Sequence, residues 1–400
     1  MHWHRVIQLI AWLTALAWLW KAIAATCGLP RIPNLLLPRF DRSPAGNPSI
    51  TIIVPARNEA TDIAATLNSL LAQDYPNLRI LAIDDRSTDQ TGAIMTTLAA
   101  AHSAKLQALH VKDLPPNWLG KTHAMALAAH HAIDTHHPDY LLFTDADIFF
   151  HPEAIRRSLA QAVATQADHF VTFPTPIIKT IGEGMLLGYL QIMGLWATRP
   201  WRVADPRATR DAVGIGAFNL LRTPAYQQLG GFDAIRMEIL EDLTLARKVK
   251  LEGLRQRVAI APGMVSLHWA SGALGIIDTM TKNLFAIFRF RTSLLLLACI
   301  ALILFCIAPV AFLAIPGTRL PAILTFASIT GIYILSSRYS LISPWYAALF
   351  PAGAALFLYS LLRSTFTTLR HGGVTWRGTF YPLTDLRQSG TIKDKSLPES

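Results

Sequence analysis

Two carboxylates interrupt an apolar run in the segment YLLFTDADIFF, residues 140–150. Asp145 and Asp147 are two positions apart, and residues at that spacing in a strand project to the same face. Neighbouring carboxylates repel and raise each other's pKa unless a cation lies between them. Carboxylate oxygens suit Mg²⁺ and Mn²⁺, and Mg²⁺ is usually held by one or two carboxylates together with substrate phosphates. The segment therefore predicts a metal site for a phosphate-bearing ligand.

Two further acidic pairs and one lysine stand near predicted element ends. Asp84 and Asp85 end a strand in IDDRSTD, and Glu241 and Asp242 begin a helical stretch in ILEDLTLARKV. Turns and helix N-caps favour Asp for structural reasons alone, so one pair would not indicate chemistry. Lys121 adds an ammonium at a predicted helix start, where backbone N–H groups also favour phosphate. The alternative for Lys121 is a solvated surface residue.

Alternating apolar stretches of strand and helix length must position these side chains. Strands are predicted at 49–56, 78–85, 105–111 and 139–147, and helices at 62–73, 91–102 and 121–133. Continuously apolar strands that alternate with helices predict an α/β domain, residues 47–270, whose parallel sheet is covered on both faces. Such sheets bind ligands at the carboxyl ends of their strands, which is where the first two acidic pairs fall.

The composition indicates that part of the chain lies in a membrane. Of 400 residues, 52% are hydrophobic and only 16% are charged, against about a quarter charged in soluble domains. Residues 1–28 contain an apolar run long enough for an N-terminal transmembrane anchor, with a cleaved signal peptide as the alternative. A C-terminal transmembrane region, residues 294–362, is expected to contain two or three spans, from the stretches 294–316, 321–336 and 344–362.

The remaining segments are basic and amphipathic. Residues 276–292 combine apolar residues with Lys282, Arg289 and Arg291, which predicts an amphipathic interfacial helix, with an ordinary surface helix as the alternative. Residues 363–400 form a polar tail that is expected to be disordered.

The formal net charge of +10 suits anionic headgroups on the cytoplasmic side of a membrane. No separate Lys/Arg-rich run indicates nucleic-acid binding. We therefore expect a multi-pass protein of the cell membrane with a cytoplasmic α/β domain. If all four apolar segments spanned, however, the basic tail would lie outside, against the positive-inside rule, so the number of spans stays open.

Six segments, in order along the chain, resemble motifs of family 2 glycosyltransferases. They are VPARNEA (54–60), DDRSTDQT (84–91), GKTHAMALA (120–128), TDAD (144–147), GAFNLLRTPAYQQLGGFD (216–233) and LEDLTLARKV (240–249). This resemblance implies the Rossmann-like GT-A fold of nucleotide-diphospho-sugar transferases, joined here to transmembrane helices. TMTKNLF (279–285) and VTWRGTFY (374–381) are similar to the membrane-bound subgroup that includes hopanoid-associated and carotenoid glycosyltransferases.

The resemblance also implies a role for each matching residue in the nucleotide and metal sites. The implied nucleotide-sugar ligands are Pro55, Arg57, Asn58, Glu59, Asp84, Asp85, Lys121 and Asp145. Asp145 and Asp147 match the D-x-D pair that faces the ribose and the metal, an Mg²⁺ or Mn²⁺ ion. His268 is a candidate third metal ligand, with packing beside Trp269 as the alternative.

Asp242 matches the general base of inverting members, and Glu241 lies beside it. Together these roles imply a metal-dependent, inverting enzyme that moves one sugar from a UDP- or GDP-sugar to a lipid-like or isoprenoid acceptor at the membrane. A metal and positive groups would stabilise the leaving diphosphate, and a base would deprotonate the acceptor hydroxyl.

Two alternatives remain from the sequence. Processive polysaccharide synthases of the family carry a Q-x-x-R-W motif after the base, where this chain has LHWASGALG, residues 267–275. This departure favours single transfer over synthesis of a short polysaccharide. A catalytically inactive membrane scaffold of the same fold is the other alternative, against which the presence of Asp147 and Asp242 argues.

Overall fold

The structure is a computed structural model, and it describes residues 2–389. The strands are β1 Ile50–Ala56, β2 Leu78–Asp85, β3 Leu106–Val111, β4 Tyr140–Phe143, β5 Ile148–Phe150, β6 His169–Phe173, β7 Thr175–Pro176, β8 Asn219–Arg222, β9 Gln256–Ile260, β10 Val265–Leu267, β11 Gly373–Trp376 and β12 Thr379–Pro382. The α-helices are α1 His2–Gly28, α2 Ile63–Leu71, α3 Thr91–Ala101, α4 Gly120–His136, α5 Ala154–Ala164, α6 Ile181–Ala197, α7 Thr223–Gln228, α8 Glu241–Leu251, α9 Gly272–Thr281, α10 Leu284–Ile287, α11 Thr292–Leu302, α12 Ala308–Phe312, α13 Arg319–Ser340, α14 Phe350–His371 and α15 Leu383–Ser389.

Contacts within the chain define two compact units. The α/β unit contains Pro33–Thr175, Val203–Leu267 and the C-terminal segment from His371, whereas the helical unit contains the N-terminal segment to Ile32, Pro176–Arg202 and His268–Arg370. The structure therefore differs from the continuous domain 47–270 expected from the sequence. Residues 176–202 contribute α6, an apolar helix, to the helical unit.

A seven-stranded sheet in the order β3-β2-β1-β4-β8-β6-β9 forms the centre of the α/β unit. Strands β1 to β4 pair in parallel, as predicted, but β8 runs antiparallel to both β4 and β6. The apolar pattern of a doubly covered strand reports burial and not direction, so the sequence did not reveal this reversal. The sheet is therefore mixed.

Both faces of this sheet are covered by helices, as the continuously apolar strands predicted. Ile52 and Val54 of β1 pack in the same buried cluster as Leu67 of α2. Ile53, which points to the opposite face, packs in a second cluster with Ala128 of α4. Alternate residues of one buried strand thus serve two hydrophobic layers.

The strand predicted at 139–147 ends early, at Phe143, and a turn carries the two carboxylates before β5 begins. The Thr144 N–H donates to the Ile53 carbonyl (3.1 Å), and the Asp145 N–H donates to the Gly216 carbonyl (3.2 Å). These bonds fix the turn at the carboxyl end of β4. The argument that Asp145 and Asp147 share one face of a strand is therefore wrong, although both lie at the predicted edge of the sheet.

Four helices among residues 2–389 are long and apolar enough to cross a membrane. They are Trp3–Arg31, Thr292–Phe312, Arg319–Ser340 and Pro344–His371. The stretch 321–336 looked short in the sequence, but its helix has 22 residues because polar residues at both ends continue it. Within the helical unit, Trp18 of α1 is fully buried and its Nε1–H donates to the Phe305 carbonyl (2.8 Å).

The amphipathic helix predicted at 276–292 is not continuous. The chain forms α9 and α10, and then Arg289 and Phe290 adopt positive φ angles of 51° and 56°. Phe285 and Phe290 are buried in the helical unit and their rings meet edge to face at 5.5 Å. Burial of both rings requires a change of chain direction that one straight helix would not allow.

The polar tail is ordered over much of its length. Helix α14 continues to His371, and β11, β12 and α15 follow within the α/β unit. The prediction of a disordered tail is therefore wrong up to Ser389, and residues 390–400 lie outside the described part of the chain.

Candidate functional site

Lys121, in the first turn of α4, lies between two carboxylates in the α/β unit. Its Nζ is 2.6 Å from Asp145 Oδ1 and 2.5 Å from Glu241 Oε1. The lysine side chain is only 12% exposed, so it is not a solvated surface residue. Burial disfavours the ammonium, but the two carboxylates outweigh burial and raise the pKa of Lys121. Lys121 therefore stays charged and joins the D-x-D turn to the start of α8.

Asp242 occupies the next position of α8 and is held by backbone donors. Its Oδ2 accepts from the Gly216 N–H (3.0 Å) and its Oδ1 from the Leu243 N–H (2.7 Å). Burial, and then the neighbouring charge of Glu241, raise the pKa of Asp242 to about 7. A carboxylate that titrates near neutral pH, held in a fixed orientation, has the properties of a general base.

Gly216 explains how the chain brings Asp145 and Asp242 together. A Cβ at this position would lie 2.6 Å from Asp145 Oδ2, which is closer than real contacts allow. The same residue donates its N–H to Asp242 and its carbonyl accepts the Asp145 N–H. Only glycine lets the backbone approach both acids in this way.

Asp147 shows the electrostatic conflict that the sequence predicted. Burial, followed by the charges of Asp145 and Glu59, raises the pKa of Asp147 to about 7. The Asp145 and Asp147 carboxylates are of the kind that holds an Mg²⁺ or Mn²⁺ ion whose other ligands come from a diphosphate. Within residues 2–389, no group of three or more His, Cys, Asp or Glu residues is arranged to hold a metal by itself. Asp145 and Asp147 are thus the residues that would hold such an ion.

His268 belongs to the helical unit, where its Nε2 lies 3.5 Å from Glu183 Oε2. Glu183 also accepts the N–H groups of Lys179 and Gly272, both at 2.7 Å. Burial disfavours the Glu183 carboxylate, but these hydrogen bonds dominate and lower its pKa to about 2. Within this unit, the partner that the structure gives His268 is thus Glu183, and the metal role of His268 stays a prediction.

The loops after β1 and β2 are tied together by Asn58. Its Oδ1 accepts from the Thr88 N–H (2.8 Å), and its own N–H donates to Ser87 Oγ (3.0 Å). Glu59 is the next residue of the loop after β1. Pro55 is buried inside β1, and its role at the nucleotide stays a prediction. Asn58 therefore positions the candidate nucleotide loops.

Asp85 is the buried acid at the end of β2, and two arginines surround it. Arg86 Nε is 2.8 Å from Asp85 Oδ1, and Arg57 Nη1 is 3.8 Å from Asp85 Oδ2. Arg57 Nε and Arg86 Nη2 are buried and have no hydrogen-bond acceptor within residues 2–389. Buried donors without acceptors are costly, and an anionic ligand would supply acceptors. Asp84 stabilises the turn after β2, because its Oδ1 accepts from the Ser87 N–H (3.1 Å).

The sequence analysis missed two residues that the tail contributes to this region. Arg377 Nη2 lies 2.9 Å from Glu59 Oε1 across 318 residues of sequence. The Tyr381 hydroxyl accepts the N–H of Gly120 (3.3 Å). Both residues lie in VTWRGTFY, a segment similar to the membrane-bound subgroup of the family. No local sequence pattern indicates which distant loop a hairpin contacts.

Comparisons with known proteins show what this chain is similar to. Residues 51–220 match the family model described as "Glycosyl transferase family 2". The 4,4'-diaponeurosporenoate glycosyltransferases of Staphylococcus aureus strains bovine RF122 / ET3-1 and MRSA252 are 27% and 26% identical to this chain over 201 residues. These matches cover 49% of this chain and 50% of each relative, so the chain spans about half the length of the curated relatives it matches.

Among solved structures, one similar fold is the mannosyltransferase PcManGT from Pyrobaculum calidifontis, solved in complex with GDP-Man and Mn²⁺. Its TM-score is 0.53 at 19% identity, and the match covers 91% of this chain and 99% of that chain. At this identity the likeness establishes the fold alone.

Proposed function

Because residues 51–220 of this chain match the model of glycosyl transferase family 2 and the fold is similar to that of a solved mannosyltransferase, we propose that the protein transfers one sugar, with inversion, from a nucleoside-diphosphate sugar to an isoprenoid-like lipid. The observation that carries the proposal is the grouping of Lys121, Asp145, Glu241 and Asp242 around the Gly216 backbone. The candidate membrane helices and the relatives named for a carotenoid acid support a lipid acceptor. The GDP-Man and Mn²⁺ of PcManGT support a nucleotide-sugar donor and a divalent ion.

The reaction is a single displacement at the anomeric carbon. The acceptor oxygen bonds to that carbon while the bond to the diphosphate oxygen breaks, and Asp242 takes the proton from the acceptor hydroxyl. Lys121 pairs with Asp145 and Glu241 and holds both side chains in place. A divalent ion held by Asp145 and Asp147 would stabilise the negative charge of the departing diphosphate. Attack opposite the leaving group inverts the anomeric configuration, without the two-step chemistry of retaining glycosidases.

The acceptor oxygen could be a hydroxyl, which must lose a proton, or a carboxylate, which has none to lose at neutral pH. Asp242 is needed as a base only for a hydroxyl. Its raised pKa and fixed orientation therefore favour a hydroxyl-bearing lipid.

The function can be tested with the full chain in lipid nanodiscs. UDP- and GDP-sugars would be screened with Mn²⁺ and with polyprenols or carotenoid acids, and the release of UDP or GDP would be measured. We expect release that depends on the acceptor and a lipid product that gains one sugar by mass spectrometry. Products with several sugars would instead indicate polysaccharide synthesis. No turnover with any donor would indicate an inactive scaffold.

The activity should depend on pH through Asp242. A base acts in its ionised form, and a pKa raised to about 7 leaves only about a tenth of the carboxylate ionised at pH 6. With a hydroxyl acceptor and saturating Mn²⁺, kcat/KM should therefore fall about tenfold per pH unit below pH 7, since kcat/KM reports the free enzyme. A profile that stays flat between roughly pH 5.5 and 7.5 would contradict this assignment.

The tail also constrains the membrane topology. Because β11 and β12 belong to the α/β unit, we infer that the chain from His268 to Arg370 crosses the membrane an even number of times. We propose that two of the three candidate helices Thr292–Phe312, Arg319–Ser340 and Pro344–His371 cross the membrane and that one does not. This arrangement would keep the basic tail on the cytoplasmic side together with the α/β domain, in accord with the positive-inside rule.

Single cysteines can test this topology. In a variant with its three cysteines replaced, Cys would be introduced at Asp134 or at Thr384, both exposed in the α/β unit. An impermeant maleimide should label both sites from the same face of membrane vesicles. Labelling from opposite faces would contradict the topology.

A further inference from the structure

We propose that the hairpin of β11 and β12 is part of the donor-nucleotide site, and that Arg377 at its tip contacts the phosphates of the nucleotide. This inference rests on the proposed function, because it adds a binding residue to the same site. It concerns a segment that is remote in sequence from every nucleotide-binding residue implied by the family resemblance.

The hairpin is anchored beside the helix that carries Lys121. Tyr381, which is buried, accepts the N–H of Gly120, the first residue of α4. The N–H groups of a first helical turn have no partner within the helix, so this bond satisfies one of them. The Leu383 N–H donates to the Gly372 carbonyl (2.9 Å) and closes the base of the hairpin. The position of the tip is thus fixed from both ends.

The tip itself has an unusual residue for its conformation. Arg377 and Gly378 form the two-residue turn, and both have positive φ angles, 49° and 78°. Such turns favour Asn-Gly or Gly-Gly, because a longer side chain is strained at positive φ. The first position nevertheless holds an arginine, whose guanidinium pairs with Glu59 at 2.9 Å. Strain of this kind is characteristic of functional sites.

Arg377 completes a group of three guanidinium side chains near the two nucleotide loops. Arg57 and Arg86 surround Asp85, and each has a buried N–H donor without an acceptor in the described chain. A Cβ on Gly378 would lie only 3.8 Å from Arg57 Nη2, which places the tip of the hairpin against Arg57. The group therefore presents guanidinium donors from three separate segments at one place.

A phosphate group would supply acceptors for the guanidinium donors that have none in the described chain. Guanidinium groups bind phosphate oxygens with paired hydrogen bonds, as they bind carboxylates. The Arg377–Glu59 pair is partly accessible, with exposed fractions of 27% and 24%, so an incoming phosphate can reach the guanidinium. Arg377 would then exchange the Glu59 carboxylate for a donor phosphate.

The test uses the full chain in nanodiscs with Mn²⁺ and four probes, UDP, GDP, uridine and guanosine. Arg377→Ala should weaken binding of the preferred nucleoside diphosphate by roughly tenfold to a hundredfold, the usual effect of losing a hydrogen bond to a charged group. Binding of the matching nucleoside, measured by competition, should change less than about threefold, because it has no phosphate. Arg377→Lys should restore part of the affinity, since lysine keeps the charge but not the paired geometry.

Arg79→Ala is the matched control. Arg79 is exposed near the start of β2, at the end of the strand opposite to Asp85, and its loss should leave both affinities unchanged. If Arg377→Ala binds the diphosphate as tightly as wild type, the inference is overturned while the proposed function stands. Equal losses for diphosphate and nucleoside would also overturn it, since the hairpin would then act only by shaping the pocket. If the wild type bound neither UDP nor GDP, the proposed function would fail and the inference with it.

A measurement on the wild-type protein keeps the inference testable if Arg377→Ala does not fold. Hydrogen exchange of the amides at 374–381 should slow when the preferred nucleoside diphosphate binds, because the ligand holds the tip. Exchange that is unchanged at saturating nucleotide would overturn the inference.

Discussion

Replacing Asp242 with Asn is expected to lower the turnover of sugar transfer to a hydroxyl acceptor by about 10²- to 10⁴-fold. The amide keeps the shape of the side chain and can still accept the Gly216 N–H, so the loop should keep its position. The amide of Asp242→Asn, however, cannot take a proton from the acceptor hydroxyl. Binding of UDP or GDP should therefore stay within a few-fold of wild type, as measured by calorimetric titration beside the turnover assay.

Glu252→Gln provides the control for this prediction, because Glu252 is exposed at the end of the same helix and the change removes the same charge. It should leave turnover unchanged. Full turnover of Asp242→Asn with a polyprenol acceptor would show that the base is another group. If Asp242→Asn kept full turnover with a carotenoid acid but lost it with a polyprenol, the base would be needed only for hydroxyl acceptors.

Replacing Asp147 with Asn should weaken Mn²⁺-dependent binding of the nucleoside diphosphate by roughly tenfold to a hundredfold or more. Even residues outside the first coordination sphere commonly contribute a factor of this size to metal affinity, and Asp145 would remain as the one carboxylate of the pair. Calorimetric titration of UDP or GDP with and without Mn²⁺ measures the effect. Asp134→Asn removes an exposed acid of α4 and serves as the matched control.

Asp147→Asn has a second expected effect, on the thermal stability of the protein without metal. A carboxylate whose folded pKa is raised to about 7 destabilises the folded state as the pH rises above its unfolded value of 3.8. At pH 8 without Mn²⁺, Asp147→Asn should therefore unfold at a higher temperature than wild type. If Mn²⁺-dependent binding were unchanged and the thermal stability fell, the metal role of Asp147 would be wrong.

The sequence by itself determined the first elements of the α/β unit, from β1 to β4 and from α2 to α4. The strand predicted at 78–85 has these bounds in the structure, and the helix predicted at 91–102 ends one residue earlier, at Ala101. It also placed the acids at the end of β2 and those that follow β4 at the carboxyl edge of the sheet. Local apolar periodicity decides these features because strands and helices are made from neighbouring residues.

Within the site, the sequence identified residue types but not their partners. Lys121 was expected to bind phosphate, and the structure shows that it also neutralises Asp145 and Glu241. Asn58 was expected among the nucleotide ligands, which stays a prediction, and the structure shows that its side chain ties two loops together. Side chains that satisfy one another across the fold leave no periodic signal in the sequence.

Only the tertiary structure decided which distant segments meet. It ended β4 before Asp145, because hydrogen bonds to Ile53 and Gly216 hold the following turn. It also brought Arg377 to Glu59, 318 residues away in the sequence. The physical reason is that the apolar pattern of a segment reports whether it is buried, whereas its neighbours depend on packing and hydrogen bonding across the whole chain.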